Sequence, residues 1–336
     1  MESKEPNRGR LRLLKGGGKG GSDSVSARDE AEVPLGETSG LRFIVGFIRR
    51  DKVALGGAIG IGIFFIFGLI QGILEIVADY THNLAIGYAI LPSNPYQFNF
   101  AHSLGAPSFA SFPVGIFGYD YTGRSIISRI LYAIPRDAFA SVLVVVLAIV
   151  IGMFLGISAG YIGGWADEIL MRVTDAFLAF PLILFAIALS LVLGNGYTVV
   201  LVALTVVWWP TYARFFRAES LTLKSRGYVE AAKLSGLSPF SIIVKHIFPN
   251  AIDPIVAIAT LDFGNVILTY STLAFLGIGV QVGTPELGAM AASGLAYVPD
   301  VWWYTLFPSL TIMAIVVCYS LLGDRIQDMV GGRLSY

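Results

Sequence analysis

The 336 residues are 55% hydrophobic and 14% charged, with a mean hydropathy of +0.71, whereas an average soluble chain carries about 25% charged residues. The 23 basic residues equal the 23 acidic ones, so no bulk field draws nucleic acid or an anionic substrate. The charges fall outside several apolar runs long enough to cross roughly 30 Å of hydrocarbon, which excludes a soluble domain and predicts an all-α polytopic membrane protein. The single cysteine, Cys318, has no partner in the chain, and His82, His102 and His246 are too scattered to form a metal site.

Residues 1–40 are rich in Gly, Ser, Lys and Arg, with KGGGKGG at Lys15–Gly21, and are expected to form a disordered cytoplasmic tail. The glycines do not make a phosphate loop, because Lys19 is followed by Gly20 where GxxxxGK[ST] needs a hydroxyl residue. No ATP site is expected in this chain. The first apolar run begins near Val53, beyond the window of a cleavable signal, and is expected to span the bilayer from Lys52 to about Ala78. Arg42, Arg49, Arg50 and Lys52 place its N-terminal side in the cytoplasm.

Residues 79–135 are too polar to span and too long for a hairpin, which predicts an external cap. Within it, GYDYTGRSIISRILY at Gly118–Tyr132 reads as a turn opening into a helix with Asp120 at the N-cap, serving either to orient the next span or to touch substrate. The second span is Arg136–Gly160. It is followed by a turn at Gly163–Gly164 and a third span, Ile169–Leu193, which Pro181 should kink. Asp167, Glu168, Arg172 and Asp175 sit at helical offsets, favouring capping and a local ion pair, while the deeper Asp175 has to face protein or water.

The turn Leu193–Tyr197 lacks Lys and Arg and is read as external, and the fourth span runs from Thr198 to about Phe216. Its Trp208 and Trp209 read either as interfacial anchors or as lining of a permeation path. Arg214, Arg217, Lys224, Arg226, Lys233 and Lys245 then mark a cytoplasmic loop, residues 221–249, whose stretch Tyr228–Pro249 has the pattern helix, turn, helix. Pro249 opens the fifth span, Asn250 to about Val280, which also holds Gly264, Gly277 and Gly279. In that span Asp262, Asn265, Thr269 and Thr272 lie three or four residues apart on one helical face, which suits interhelical hydrogen bonds or a pore. Residues 281–300 form a second external segment, and Val301 to Leu322 is the sixth span, with Trp302 and Trp303 at its outer edge. Six spans with both termini cytoplasmic satisfy the distribution of basic residues.

Glu230-Ala231-Ala232, then Gly236 four residues on, then Ile247-Phe248-Pro249 resembles the EAA loop of binding-protein-dependent ABC importer permeases. WWPTYARFFRAESLTLKSRGYVEAA at Trp208–Ala232, GISAGYIGGWADEILMRVTDAFLAFPLIL at Gly156–Leu184 and STLAFLGIGVQVGTPELGAM at Ser271–Met290 extend the match. Together with the cap segment they resemble the C-type permeases of dipeptide and oligopeptide importers, over roughly Leu41 to Leu334. Phe248 departs from the usual I-L-P ending, Tyr121–Thr122 replaces an acidic-leucine pair, and Tyr270 stands where many members carry a glutamate.

The resemblance implies the six-helix type I ABC importer fold over residues 41–336 and a heterodimer with a second permease. It also implies two cytoplasmic ATPase subunits that bind ATP and Mg, and an extracytoplasmic substrate-binding protein. On this reading the chain is not an enzyme and holds no cofactor or metal. Glu230, Ala231, Ala232, Gly236 and Pro249 would couple it to an ATPase subunit, and Asp262, Asn265, Thr269 and Tyr270 are candidates for lining the pathway. The cargo implied is di- or oligopeptides, and related permeases also serve oligosaccharides and nickel complexes. An intramembrane protease is the alternative from another class, but Asp175 and Asp262 lack its sequence context.

Overall fold

The computed structural model describes residues 41–252, 254–281 and 283–330. The tail expected over residues 1–40 lies outside them. Helix α1 (Leu41–Arg50) leads into α2 (Lys52–Thr81), α3 (Ile126–Ile162), α4 (Gly164–Leu178), α5 (Leu182–Leu193), α6 (Tyr197–Lys224) and α7 (Gly227–Leu234). Then follow α8 (Ile255–Phe275), α9 (Leu287–Gly294) and α10 (Trp302–Val330). Among the described residues five helices, α2, α3, α6, α8 and α10, are long and apolar enough to cross a membrane, and the bent pair α4–α5 brings the number to six when counted as one span.

Local chemistry sets these boundaries. Asp51 caps α2 by accepting the backbone N–H groups of Val53 and Ala54, each at 2.8 Å. Thirty residues then extend about 45 Å, enough to cross hydrocarbon with some tilt. Ile59, Ile63, Ile66, Ile70 and Ile73 on this helix are exposed, as expected of a face that meets lipid or another membrane subunit.

The centre of the bundle is the packing of α3 on α6. Gly152, Gly156 and Gly160 recur every four residues on one face of α3, and a side chain on Gly156 or Gly160 would strike the Ala213 or Arg217 carbonyl of α6. Small residues at this spacing let backbones approach where lipid gives helices no hydrophobic reason to associate. Around this seam Leu204, Trp208, Trp209, Tyr212, Phe216 and Tyr270 form a core that continues to Val229, Ile242 and Ile247 beyond α6. A second core joins α2, the first turns of α3, α8, α9 and α10 through Phe64, Ile130, Ile267, Met290, Tyr304 and Tyr319.

Several expectations change. Trp208 and Trp209 are neither interfacial nor exposed along a path; both are buried in the α3–α6 core. Helix α3 begins at Ile126, ten residues before the expected start, and runs through Pro135. Its N-cap is Ser125, whose hydroxyl accepts the Ser128 N–H. Asp120 instead closes the preceding turn. Its fully buried carboxylate accepts the Thr122 and Arg124 backbone N–H groups at 2.8 and 3.0 Å, the Thr122 hydroxyl at 2.7 Å and Arg124 Nε at 2.7 Å. Gly123 at φ +75° completes that turn directly beneath the Asn99 carbonyl, where no Cβ fits.

The third span is broken rather than kinked. Helices α4 and α5 meet at 90°, because Pro181 offers no N–H and disfavours helical geometry at Phe180. The fifth span starts later and ends earlier than expected. Pro249 lies in a separate four-residue turn, Phe248–Ala251, that follows a π-helical turn at Ile243–Ile247, and the long helix begins only after Pro254. At the other end Gly277, at φ +82°, terminates α8, with Gly277 N–H bonded to the Ala274 carbonyl and Ile278 N–H to that of Leu273. This is a Schellman end, so Gly277 and Gly279 lie past the helix and not within it.

Candidate functional site

The segment between α6 and α8 has two faces. On α7, Val229 and Ala232 turn inward and are buried against the bundle, while Glu230 and Ala231 point away. The two alanines of the tripeptide therefore do different work. Ala232 permits close approach to the bundle, and Ala231 leaves the outer surface low. Beside Glu230 and Ala231, that surface carries Tyr228 at 44% exposure and Leu234 at 90%, and Phe240 across the turn is 76% exposed. Exposed large apolar side chains around a carboxylate form the kind of patch that a protein partner covers.

The spacing between the tripeptide and its glycine has a mechanical reason. Gly236 takes φ +79°, its N–H bonds the Lys233 carbonyl at 3.0 Å, and Leu237 N–H bonds the Ala232 carbonyl at 3.2 Å. A second Schellman end thus closes α7, and the left-handed position needs glycine. Ser238 then caps the next turn by accepting the Ser241 N–H at 3.3 Å. The chain reverses within three residues and returns along the bundle through the buried Ile242 and Ile247.

A cationic clasp joins this segment to the end of α3, and sequence reasoning missed it. Lys224 Nζ donates to the Tyr161 carbonyl at 2.6 Å and lies 5.5 Å from the Tyr161 ring centroid, while Lys233 of α7 stands 5.9 Å from the same ring. Lysine carbonyl bonds and cation–π contacts compensate the unsatisfied carbonyls at a helix C-terminus. The two lysines stand 63 and 72 residues from Tyr161, so no local pattern could reveal them. Two ion pairs tie α4 to α6 nearby, Arg217 to Asp167 and Arg214 Nη2 to Asp175 at 2.6 Å. Asp175 thereby finds its charge partner, and Asp167 serves an interhelical bridge.

On α8, Asn265 is exposed, and Asp262, Thr269 and Thr272 along the same helical face are half-buried. The threonine hydroxyls are spent on their own helix, bonding the Asn265 and Leu268 carbonyls at 2.8 and 2.7 Å. Asn265 Nδ2 donates to Asp262 Oδ1 at 3.3 Å, so these two side chains supply the stripe's polar character. Tyr270 is not on that surface. It is 1% exposed, packs edge-to-face on Tyr197 at 5.8 Å, and lines a cavity inside the bundle.

Residues 152–336, from the glycine seam through the α7 segment to the end, match the family model of the binding-protein-dependent transport system inner membrane component. The chain belongs to that family. The permease is 33% identical over 289 residues to the dipeptide transport system permease protein DppC of Alkalihalophilus pseudofirmus, covering 86% of this chain and 88% of the relative. It is 39% identical over 223 residues to the probable D,D-dipeptide transport system permease protein DdpC of Escherichia coli K12, covering 65% and 75%. The glutathione transport system permease protein GsiD of Pectobacterium atrosepticum is 39% identical over 221 residues, covering 65% and 72%. A solved inward facing structure of the MetNI methionine ABC transporter aligns with a TM-score of 0.47 at 20% identity, covering 60% of this chain and 95% of that one. This permease is thus a multi-pass component of the cytoplasmic membrane and has the transport role of its family.

Proposed function

We propose that this permease forms half of the translocation pathway of an ATP-driven importer of di- and oligopeptides and that α7 is its coupling helix. One observation carries the reading. The segment 227–249 is anchored to the bundle by Val229, Ala232, Ile242 and Ile247 while presenting Glu230, Leu234 and Phe240 outward. An element rigidly tied to the core and apolar on its free face is built to receive force from another protein. ATPase subunits that bind ATP and Mg supply that force, Leu234 and Phe240 fill a cleft on one of them, and Glu230 makes a charge-assisted hydrogen bond at its rim.

Lys and Arg crowd residues 214–245, which supports a cytoplasmic position for this loop and for both termini. Residues 82–125, between α2 and α3, and residues 281–300 are then the external segments, facing a substrate-binding protein. The exposed Asn265, with the half-buried Asp262, Thr269 and Thr272 along the same face, meets the second permease and lines the path between the two. The peptide cargo is carried over from the three relatives, each named for a peptide or for glutathione. Nothing in the site favours an oligosaccharide. Tyr270 does not belong to the path on this reading, because its ring is enclosed by the permease's own helices.

The test is reconstitution with the cognate second permease, ATPases and binding protein in liposomes. ATP-dependent uptake of a labelled dipeptide, unaffected by an excess of an oligosaccharide panel, is expected. Uptake of an oligosaccharide in preference to peptide would overturn the cargo assignment.

A further inference from the structure

A cavity of about 230 Å³ lies between the third turn of α3, the start of α6, the end of α8 and the segment leading into α9, lined by Arg136, Tyr197, Tyr270, Gln281, Thr284 and Glu286, among others. Its volume equals roughly eight waters at the liquid's share of about 30 Å³ each. Glu286 is 1% exposed. One of its oxygens caps α9 by accepting the Ala289 N–H at 2.6 Å, and the other, Oε1, is buried with no hydrogen-bond partner. Next to Arg136, Asp137 is fully buried with neither carboxylate oxygen bonded, and it lies within electrostatic reach of Glu286.

The charges do not balance. Arg136 is the guanidinium facing both carboxylates, and it is also drawn to Glu75 of α2 and stacked over the Tyr132 ring at 5.6 Å. Three carboxylates therefore share one cation. Tyr197 donates its hydroxyl hydrogen to the Arg136 carbonyl at 2.8 Å, which leaves its oxygen an acceptor. Leaving carboxylate oxygens bare in a buried site costs several kcal/mol, and a membrane protein tolerates such groups where they bind something.

We propose that this cavity binds one small monovalent alkali cation, Na⁺ or K⁺, held by Glu286 Oε1 and the neutral oxygens of Gln281, Thr284 and Tyr197, with Asp137 supplying negative charge from behind. Hard oxygen donors suit such an ion, and irregular backbone beside a helix end is a recurrent setting for cation sites in transporters. The donor set carries two carboxylates and no imidazole or thiolate, and among the described residues no group of three or more His, Cys, Asp or Glu could hold a metal ion. The lack of nitrogen and sulfur donors disfavours zinc and the later transition metals, and Asp137 and Glu286 set against the Arg136 guanidinium leave one net negative charge at the cavity, which one monovalent ion neutralises. Occupancy ties Gln281, Thr284 and Glu286, and through the capping oxygen α9, to α3 and the start of α6. Burial raises the Glu286 carboxyl above the ordinary range, to about 7, against the pull of the backbone N–H groups of Ala289 and Gly288 and of Arg136. The other groups bearing on the site are Arg136 and Asp137 of α3, Tyr197 of α6 and Tyr270 of α8, with Glu75, Tyr96 and Tyr132 behind Arg136.

The experiment is thermal unfolding of the purified assembled transporter at pH 8 and constant ionic strength, replacing choline chloride stepwise with NaCl or KCl. A saturable rise of a few degrees in Tm is expected with an alkali ion, with loss of the ion-specific part in Glu286→Gln, which keeps a capping oxygen, and a reduced part in Thr284→Val. Identical melting in choline, Na⁺ and K⁺ would overturn the proposal, and so would stabilisation by acid alone or an undiminished ion response in Glu286→Gln. The wild-type titration stands without either variant, so a variant that fails to assemble does not remove the test.

Discussion

Gly236 shows how much a single residue decides. Its φ of +79° and its N–H bond to Lys233 exclude proline twice, because proline fixes φ near −65° and has no N–H. Gly236→Pro is expected to destroy the α7 turn and abolish ATP-driven uptake, whereas Gly236→Asn, which tolerates the left-handed region, should retain most of it. Parallel uptake assays on the two variants distinguish a conformational requirement from a merely crowded surface. Asp120 is the corresponding residue in the 82–125 segment. Asp120→Ala leaves the buried guanidinium of Arg124 without its carboxylate, a loss of about 3–5 kcal/mol. It should appear as a lower Tm or as failure of the permease to accumulate. The sequence pointed to Asp120 for its place before a helix, but its four bonds close a turn, and composition alone cannot distinguish an N-cap from a buried turn acceptor.

At the level of elements, α3 and α6 form the seam that carries the rest. Gly156→Leu would push a branched side chain into the Ala213 carbonyl and the Phe216 side chain. Overpacking usually costs about 1–3 kcal/mol, and a backbone contact that cannot rotate away belongs at the upper end, so loss of assembled transporter on size exclusion is expected. The α7 segment was legible as helix, turn and helix, because Gly236 and Ser238–Pro239 punctuate it and Val229, Ala232, Ile242 and Ile247 supply an inner face. Its clasp was not legible, since Tyr161 meets Lys224 and Lys233 only once α3 and α6 have packed. Tyr161→Ala should loosen α7 from α3 while leaving the outward face intact. The expected result is an unchanged yield of co-purified ATPase with peptide transported per ATP falling several-fold; equal coupling ratios would show that the clasp only stabilises the fold.

For the whole molecule, hydropathy and the placement of Lys and Arg sufficed for a polytopic helical bundle, because an apolar run of bilayer length has few alternatives to a helix. They did not suffice for breaks inside spans. The 90° corner at Pro181, the turn holding Pro249 and the end of α8 at Gly277 each depend on tertiary packing that decides whether a proline or glycine bends a helix or ends it. Polar periodicity placed Asn265, Thr269 and Thr272 on one helical face, but it could not show that the threonine hydroxyls are satisfied within the helix or that Tyr270 turns inward. The α8 face of Asn265 and the exposed α7 face are two separate surfaces of this permease, and the proposed coupling requires motion to pass between them through the π-helical turn at Ile243–Ile247. The most direct measurement is ATP-dependent dipeptide uptake by the reconstituted importer, with co-purified ATPase quantified for wild type and for Leu234→Asp combined with Glu230→Lys. Both residues are exposed here, so the folded permease should accumulate normally while ATPase association and uptake are lost together. Wild-type association and uptake in that double variant would contradict the assignment of α7 as the coupling helix.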